Sequence, residues 1–138
     1  MFFHNTNRIN QPAGLETRPS LIHGQGVFAG RFFKKGELIE KAPVILLDNA
    51  DWELLRGTFL FGYYFLLNNN KYPAALGLGL SSLYNHAVDA NAAYTISVKK
   101  QCLIFKALRS IDTGEEITLN YNGRAGDASP VFFPSPAV

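Results

Sequence analysis

The sequence predicts a mainly β domain with short helices, and three observations carry that reading. Residues 94–98 and 102–107 flank a Lys99-Lys100-Gln101 turn in the pattern of a hairpin. A Gly24-Gln25-Gly26 turn lies between two short apolar runs. A charged turn closing on Gly-Glu occurs twice, at Gly36-Glu37 and Gly114-Glu115, and each time opens an aliphatic strand.

In chain order, residues 1–17 mix Asn, Gln, Pro and Gly without periodicity and read as a loose lead-in, with structure beginning near Arg18. Leu21-Ile22, the turn at His23 to Gly26, and Val27-Phe28-Ala29 read as strand, turn, strand. The first charged turn feeds the apolar run 42–47, and residues 48–56 suit a short helix capped by Asp48 or Asn49. Residues 59–67 are nearly all apolar or aromatic; aromatic enrichment favours a strand, missing alternation leaves a helix open, and Phe59, Phe61 and Phe65 read as core. Gly77 and Gly79 argue for a strand or a tight crossing over 74–80, and Ser81 or Ser82 for the cap of one helical turn through Asn85. Glu37 and Glu115 read as solvated turn residues, Lys99 and Lys100 as an exposed tip. Residues 123–138 form a turn-rich tail with Val131-Phe132-Phe133 as its anchor.

At 138 residues the chain has the length of one domain, here 18–122 between lead-in and tail, and 47% hydrophobic with 17% charged residues is a globular balance. A net charge of +2 with scattered basic residues gives no electrostatic case for nucleic-acid binding. A single cysteine, Cys102, excludes an intrachain disulfide and a cysteine-rich zinc cluster. The N-terminus lacks the pattern of a signal peptide and no apolar run is long enough to span a membrane, so a cytoplasmic or nuclear protein is expected.

The densest chemistry lies in Tyr84-Asn85-His86, Asn91 and Tyr94, amides, an imidazole and phenols following an apolar run. On residue types alone this is a buried polar network as readily as a binding site. No metal site is expected, because His86 has no histidine or cysteine at ligand spacing, and a serine hydrolase lacks its Gly-x-Ser-x-Gly elbow.

Taken together and in order, Gly24-Gln25-Gly26, the run from Asn85-His86 to Asn91, and Gly114-Glu115-Glu116-Ile117-Thr118-Leu119-Asn120-Tyr121 resemble the motifs of SET-domain protein lysine methyltransferases. The match runs from about Leu21 to Tyr121 and is most similar to the minimal viral and bacterial SET domains. The resemblance implies a β-clip-like fold of several small sheets, its C-terminal segment threaded under the Asn-His loop. It implies S-adenosyl-L-methionine held by Gly24, Gln25, Gly26, Tyr84, Asn85 and His86. It implies a catalytic Tyr121 at the floor of a substrate channel lined by Tyr94 and Leu119, and Tyr63 and Tyr64 are candidates for its walls. The partner would be a protein or peptide presenting a lysine, with histones among the candidates, and the enzyme a monomer or homodimer. Two departures stand out: Ala87 and Ala90 replace the family's usual Ser and Pro, and Leu119 sits where many members carry an aromatic residue. No cysteine-rich segment follows, so a channel lid would come from Phe132-Phe133 or a partner. The alternative is a silent SET-fold module that binds a peptide or protein.

Methyl transfer to an amine is a direct displacement that needs alignment and no metal. It also needs a neutral lysine, which at pH 7 costs on the order of 4–5 kcal/mol for a free side chain. An apolar, aromatic-walled channel lowers that cost by disfavouring the ammonium.

Overall fold

The computed structural model describes residues 13–131. Its strands are β1 (Leu15–Pro19), β2 (Gln25–Ala29), β3 (Leu38–Leu47), β4 (Tyr64–Leu66), β5 (Ala74–Gly77), β6 (Asn85–His86), β7 (Ala92–Ser97), β8 (Cys102–Ala107) and β9 (Glu116–Leu119). They form a four-stranded sheet ordered β1-β2-β9-β6 and a five-stranded sheet ordered β4-β5-β3-β8-β7. Every pairing is antiparallel except β6 with β9, which is parallel. Helix α1 (Asn49–Leu55) is short because its cap and its composition give out together. Asp48 accepts the Asp51 N–H at 2.9 Å, and Gly57 follows the last turn.

The expected hairpin is present as β7 and β8, in register from Ala92 opposite Ala107 to Ser97 opposite Cys102. Gln101 closes it with φ of 48°, a left-handed conformation. Strand β3 is long because it serves two partners: Leu38 to Pro43 pair with β8, and Val44 to Leu47 pair with β5. Pro43, which cannot donate to a ladder, sits at the changeover, and its carbonyl accepts the Leu78 N–H at 2.9 Å.

The two Gly-Glu turns are related by a local twofold. Phe33 and Ile111 exchange backbone hydrogen bonds at 2.9 and 3.0 Å, and both side chains are fully buried. Gly36 donates to the Ala107 carbonyl at 2.7 Å, as Gly114 does to the Ala29 carbonyl at 2.6 Å. Both glycines have positive φ, 82° and 88°, so each turn needs a residue without a Cβ penalty. Burying Phe33 and Ile111 at the axis contributes about 1.5–3 kcal/mol each by transfer arguments, which fastens β2-turn-β3 to β8-turn-β9. The shared core continues through Val27, Leu103, Phe105, Ile117 and Leu119.

Several local expectations are corrected. Leu21 and Ile22 are not a strand; they stand exposed in the turn before β2, while β1 begins at Leu15, ahead of Arg18. Residues 59–67 split into a 3-10 helix (Phe59–Tyr63) and the short β4, since Gly62 and the mixed pattern sustain neither a long strand nor an α-helix. Phe59 is half exposed rather than core, Phe61 stacks on Trp52 at 5.7 Å, and Phe65 does pack on the core. Ser81 and Ser82 cap no helix: their hydroxyls donate to the carbonyls of Leu78 and Gly77 at 2.6 and 3.1 Å, and Asn85 starts β6. Glu37 and Glu115 are partly solvated turn residues, as expected, and each is ion-paired, with Arg31 at 2.7 Å and with Arg109 at 2.5 Å.

Candidate active site

The site forms where β6 joins the edge of the four-stranded sheet beside β9. Asn85 lies opposite Thr118 and His86 opposite Leu119. Asn85 is buried, and its amide nitrogen donates to the carbonyls of His23 at 2.9 Å and Gln25 at 3.2 Å and to Glu116 Oε1 at 2.9 Å. The Glu116 carboxylate also accepts the Ser20 hydroxyl, at 2.8 and 2.9 Å to its two oxygens. The loop 20–25 is thereby fixed from inside by one amide, one carboxylate and one hydroxyl. Gly26 is confined by the protein itself, because a Cβ there would meet the Glu116 carboxylate and lie 3.1 Å from Ser20 Cβ. Gly24 differs: its φ is 48° and the space its Cβ would enter is open.

The second asparagine ties the same strand from the other side. Asn91 accepts the Thr118 N–H at 2.9 Å and donates to the Glu116 carbonyl at 2.8 Å. With Ala87 donating to the Leu119 carbonyl at 3.0 Å, β9 runs beneath the 87–91 loop, the threaded arrangement that joins distant motifs. Alanine at positions 87 and 90 leaves that crossing intact.

Two cavities meet at Tyr121. The smaller, about 210 Å³, is lined by His23, Gly24, Gln25, Leu83 and Asn85. The larger, about 550 Å³, is lined by Tyr64, Phe65, Tyr84, Tyr94 and Leu119, with Pro130 and Val131 of the tail on its wall. Gly62, Tyr63, Ser82 and Tyr121 line both. The Tyr121 hydroxyl donates to the Tyr84 carbonyl at 2.7 Å, and its backbone N–H donates to His86 Nδ1 at 3.1 Å. The His86 and Tyr121 rings lie 5.2 Å apart. Burial pushes the Tyr121 phenol up to about 12, with Tyr63 and Glu116 adding to it. Burial lowers the His86 pKa, in keeping with a neutral imidazole whose Nδ1 accepts. Burial likewise raises the pKa of Tyr94, whose ring meets Phe65 edge-on at 5.0 Å. Tyr64 Oη is buried with no hydrogen-bond partner among the described residues.

The structure thus brings Gly24, Gln25 and Asn85 together on one side of Tyr121, and Tyr64, Tyr94 and Leu119 on the other, with Tyr63 between. Tyr84 was expected on the smaller side but lines the larger cavity, its phenol turned into the core. Gly26 and His86 line neither cavity; one packs on Glu116 and the other holds the Tyr121 backbone. Asn120 and Asn122 tie the tail down through the carbonyls of Asp127 and Ser129, at 2.8 and 2.9 Å. The candidate lid residues Phe132 and Phe133 lie outside the described residues. Sequence reasoning missed Ser20, Glu40, Gly62 and Ser82 and gave Glu116 no role; a carboxylate straight after a Gly-Glu turn was the available signal for the last.

The SET domain family model matches residues 24–122. The chain belongs to the SET-domain family. A Schizosaccharomyces pombe histone-lysine N-methyltransferase, H3 lysine-37 specific, is 30% identical over 112 residues, covering 78% of this chain and 72% of that one. The histone-lysine N-methyltransferase Set8 of Drosophila pseudoobscura is 30% identical over 127 residues, covering 83% of this chain but 18% of that longer one. Among solved structures, a Plasmodium falciparum protein described as a candidate histone methyltransferase aligns with a TM-score of 0.66 and 29% identity, over 82% of this chain and 95% of that one. This SET domain is a protein-lysine methyltransferase.

Proposed function

We propose that the enzyme methylates a histone lysine with S-adenosyl-L-methionine as donor, the donor on the smaller side of Tyr121 and the lysine on the larger. The observation that carries this reading is the position of Tyr121, which lines both cavities with its hydroxyl held by the Tyr84 carbonyl. The lining of the smaller cavity suits the cationic part of the donor. Gly24 leaves open backbone, and the Glu116 carboxylate behind Asn85 favours a cationic ligand. S-adenosyl-L-methionine would supply a methyl group on a sulfonium. Gly24, Gln25 and Asn85 would hold it, and His86 would act indirectly through Tyr121.

On the larger side Tyr63, Tyr64, Tyr94 and Leu119 offer an aromatic and apolar wall that disfavours the ammonium form of lysine and so favours the neutral nucleophile. Tyr121 orients the amine through its hydroxyl. It is a poor general base, because a phenol raised to about 12 is almost wholly protonated at neutral pH. The tail residues Pro130 and Val131 line this cavity, which supports a covering role for the part of the tail they belong to. Histones as substrate follow the named activities of the relatives, and residence in the nucleus or cytoplasm follows the substrate.

The test is transfer of labelled methyl from S-adenosyl-L-methionine to purified core histones, with the lysine located by mass spectrometry. Tyr121→Phe keeps the ring and should cut turnover by about thirtyfold or more, near 2 kcal/mol in the barrier, with S-adenosylhomocysteine affinity changed by less than about threefold. Full turnover in that variant would remove Tyr121 from the mechanism.

A further inference from the structure

Glu40 is a buried carboxylate with no ion-pair partner among the described residues, near the start of β3 between buried Ile39 and exposed Lys41. Leaving a carboxylate there has a desolvation cost, so its contacts need a reason. One oxygen accepts the Leu80 N–H at 3.0 Å, and the other accepts the Tyr84 hydroxyl at 2.7 Å. Glu40 therefore grips both ends of the 80–84 turn. Gly79, just before it, has φ of 66°, and a Cβ there would come within 2.8 Å of Glu40 Oε1, so the backbone is shaped around the carboxylate.

The turn it grips leads to the reacting centre. The Tyr84 ring is stacked on Phe105 at 4.8 Å and its phenol is bonded to Glu40, so the side chain is held at both its face and its tip. That carbonyl is the acceptor of the Tyr121 hydroxyl. We propose that Glu40 is a positioning residue: by fixing Tyr84 at both its hydroxyl and its turn, it aims the carbonyl that sets the direction of the Tyr121 hydroxyl. The inference rests on the reading of Tyr121 given above. Burial raises the Glu40 pKa, and its bonds from Tyr84 and Leu80 oppose the rise.

The geometry makes Glu40→Gln a conservative replacement, since its carbonyl oxygen can accept from Leu80 and its amide can donate to the Tyr84 oxygen. Tyr84→Phe keeps the ring stack and removes only the link to the carboxylate. The experiment compares Tyr84→Phe, Glu40→Ala and Glu40→Gln for turnover per folded molecule on the acceptor that the wild type methylates. The acceptor is chosen from core histones and cell-extract proteins, and S-adenosylhomocysteine affinity is measured alongside. The expected result is a tenfold or greater fall in kcat for Tyr84→Phe and Glu40→Ala, KM and cofactor affinity within about threefold, and near wild-type kcat for Glu40→Gln. If Glu40→Ala does not fold, Tyr84→Phe decides alone. Wild-type kcat in Tyr84→Phe, or a Glu40→Gln as impaired as Glu40→Ala, overturns the proposal. Because Tyr121→Phe is measured in the same assay, a normal Tyr84→Phe beside an impaired Tyr121→Phe removes only Glu40, whereas a normal Tyr121→Phe removes the reading beneath it.

Discussion

The two Gly-Glu turns make the same local structure and then part. In each, an arginine pairs with the glutamate, which also accepts a backbone N–H three residues earlier: Lys34 for Glu37 at 2.8 Å, Asp112 for Glu115 at 3.1 Å. One residue later the likeness ends. Leu38 is half exposed and starts a ten-residue strand, whereas Glu116 reaches inward to Ser20 and Asn85 and starts a strand of four. Where the first copy carries Pro43 inside a sheet, the second carries Tyr121 at the meeting of two cavities. A shared turn therefore builds the scaffold, and an early end to the second strand frees Asn120 and Tyr121 from a ladder to make the site.

The largest expected effect comes from erasing the first point of difference. Glu116→Leu gives the second copy the residue of the first and leaves Ser20 and Asn85 without their common acceptor. S-adenosylhomocysteine affinity should fall about tenfold or more, roughly 1.4 kcal/mol, while Leu38→Glu should leave it unchanged. Equal calorimetric affinity in both variants would break the contrast.

A smaller effect is expected from acid. His86 accepts the Tyr121 N–H while neutral, and its folded pKa lies below 6.5. The unfolded chain therefore takes up the proton first as pH falls. The His86 contribution to stability is complete above about 6.5 and is lost as pH drops toward the folded pKa, with activity following. Thermal denaturation between about pH 7 and pH 5 should show a fall that is shallower in His86→Gln; identical slopes would remove His86 as the cause.

The smallest effect compares the glutamates themselves. Glu37 holds only its own turn, while Glu115 also accepts from Asn91 at 3.3 Å. Glu115→Ala should lower the melting temperature more than Glu37→Ala, since both remove an exposed ion pair, which contributes little, and only the first removes an acceptor of Asn91. Equal shifts would mean that the Asn91 link carries no weight.

How much was legible follows from what each signal encodes. The hairpin, the Asp48 cap and the repeated Gly-Glu turns are local, and short-range residue chemistry specifies them. Asn85, Tyr94 and Leu119 could be given sides of a site only because three spaced motifs resembled a family. The placement of Leu21 and Ile22 was not legible, because apolar composition suggests a strand and says nothing of the Ser20–Gly24 hydrogen bond that makes the segment a turn. Nor was the inward turn of the Tyr84 phenol, since its partner Glu40 is distant in sequence and reads there as one of several charges ahead of the apolar run 42–47. Gly26 was legible as a constrained glycine, but not that a side chain of the protein constrains it.

The measurement that bears most directly on the division of the site is a crystal structure with S-adenosylhomocysteine and a lysine peptide bound together. The cofactor product should lie against Gly24, Gln25 and Asn85, the lysine amine among Tyr63, Tyr64 and Tyr94, and the Tyr121 hydroxyl between them. S-adenosylhomocysteine seated in the larger aromatic cavity, or both ligands on one side of Tyr121, would contradict it.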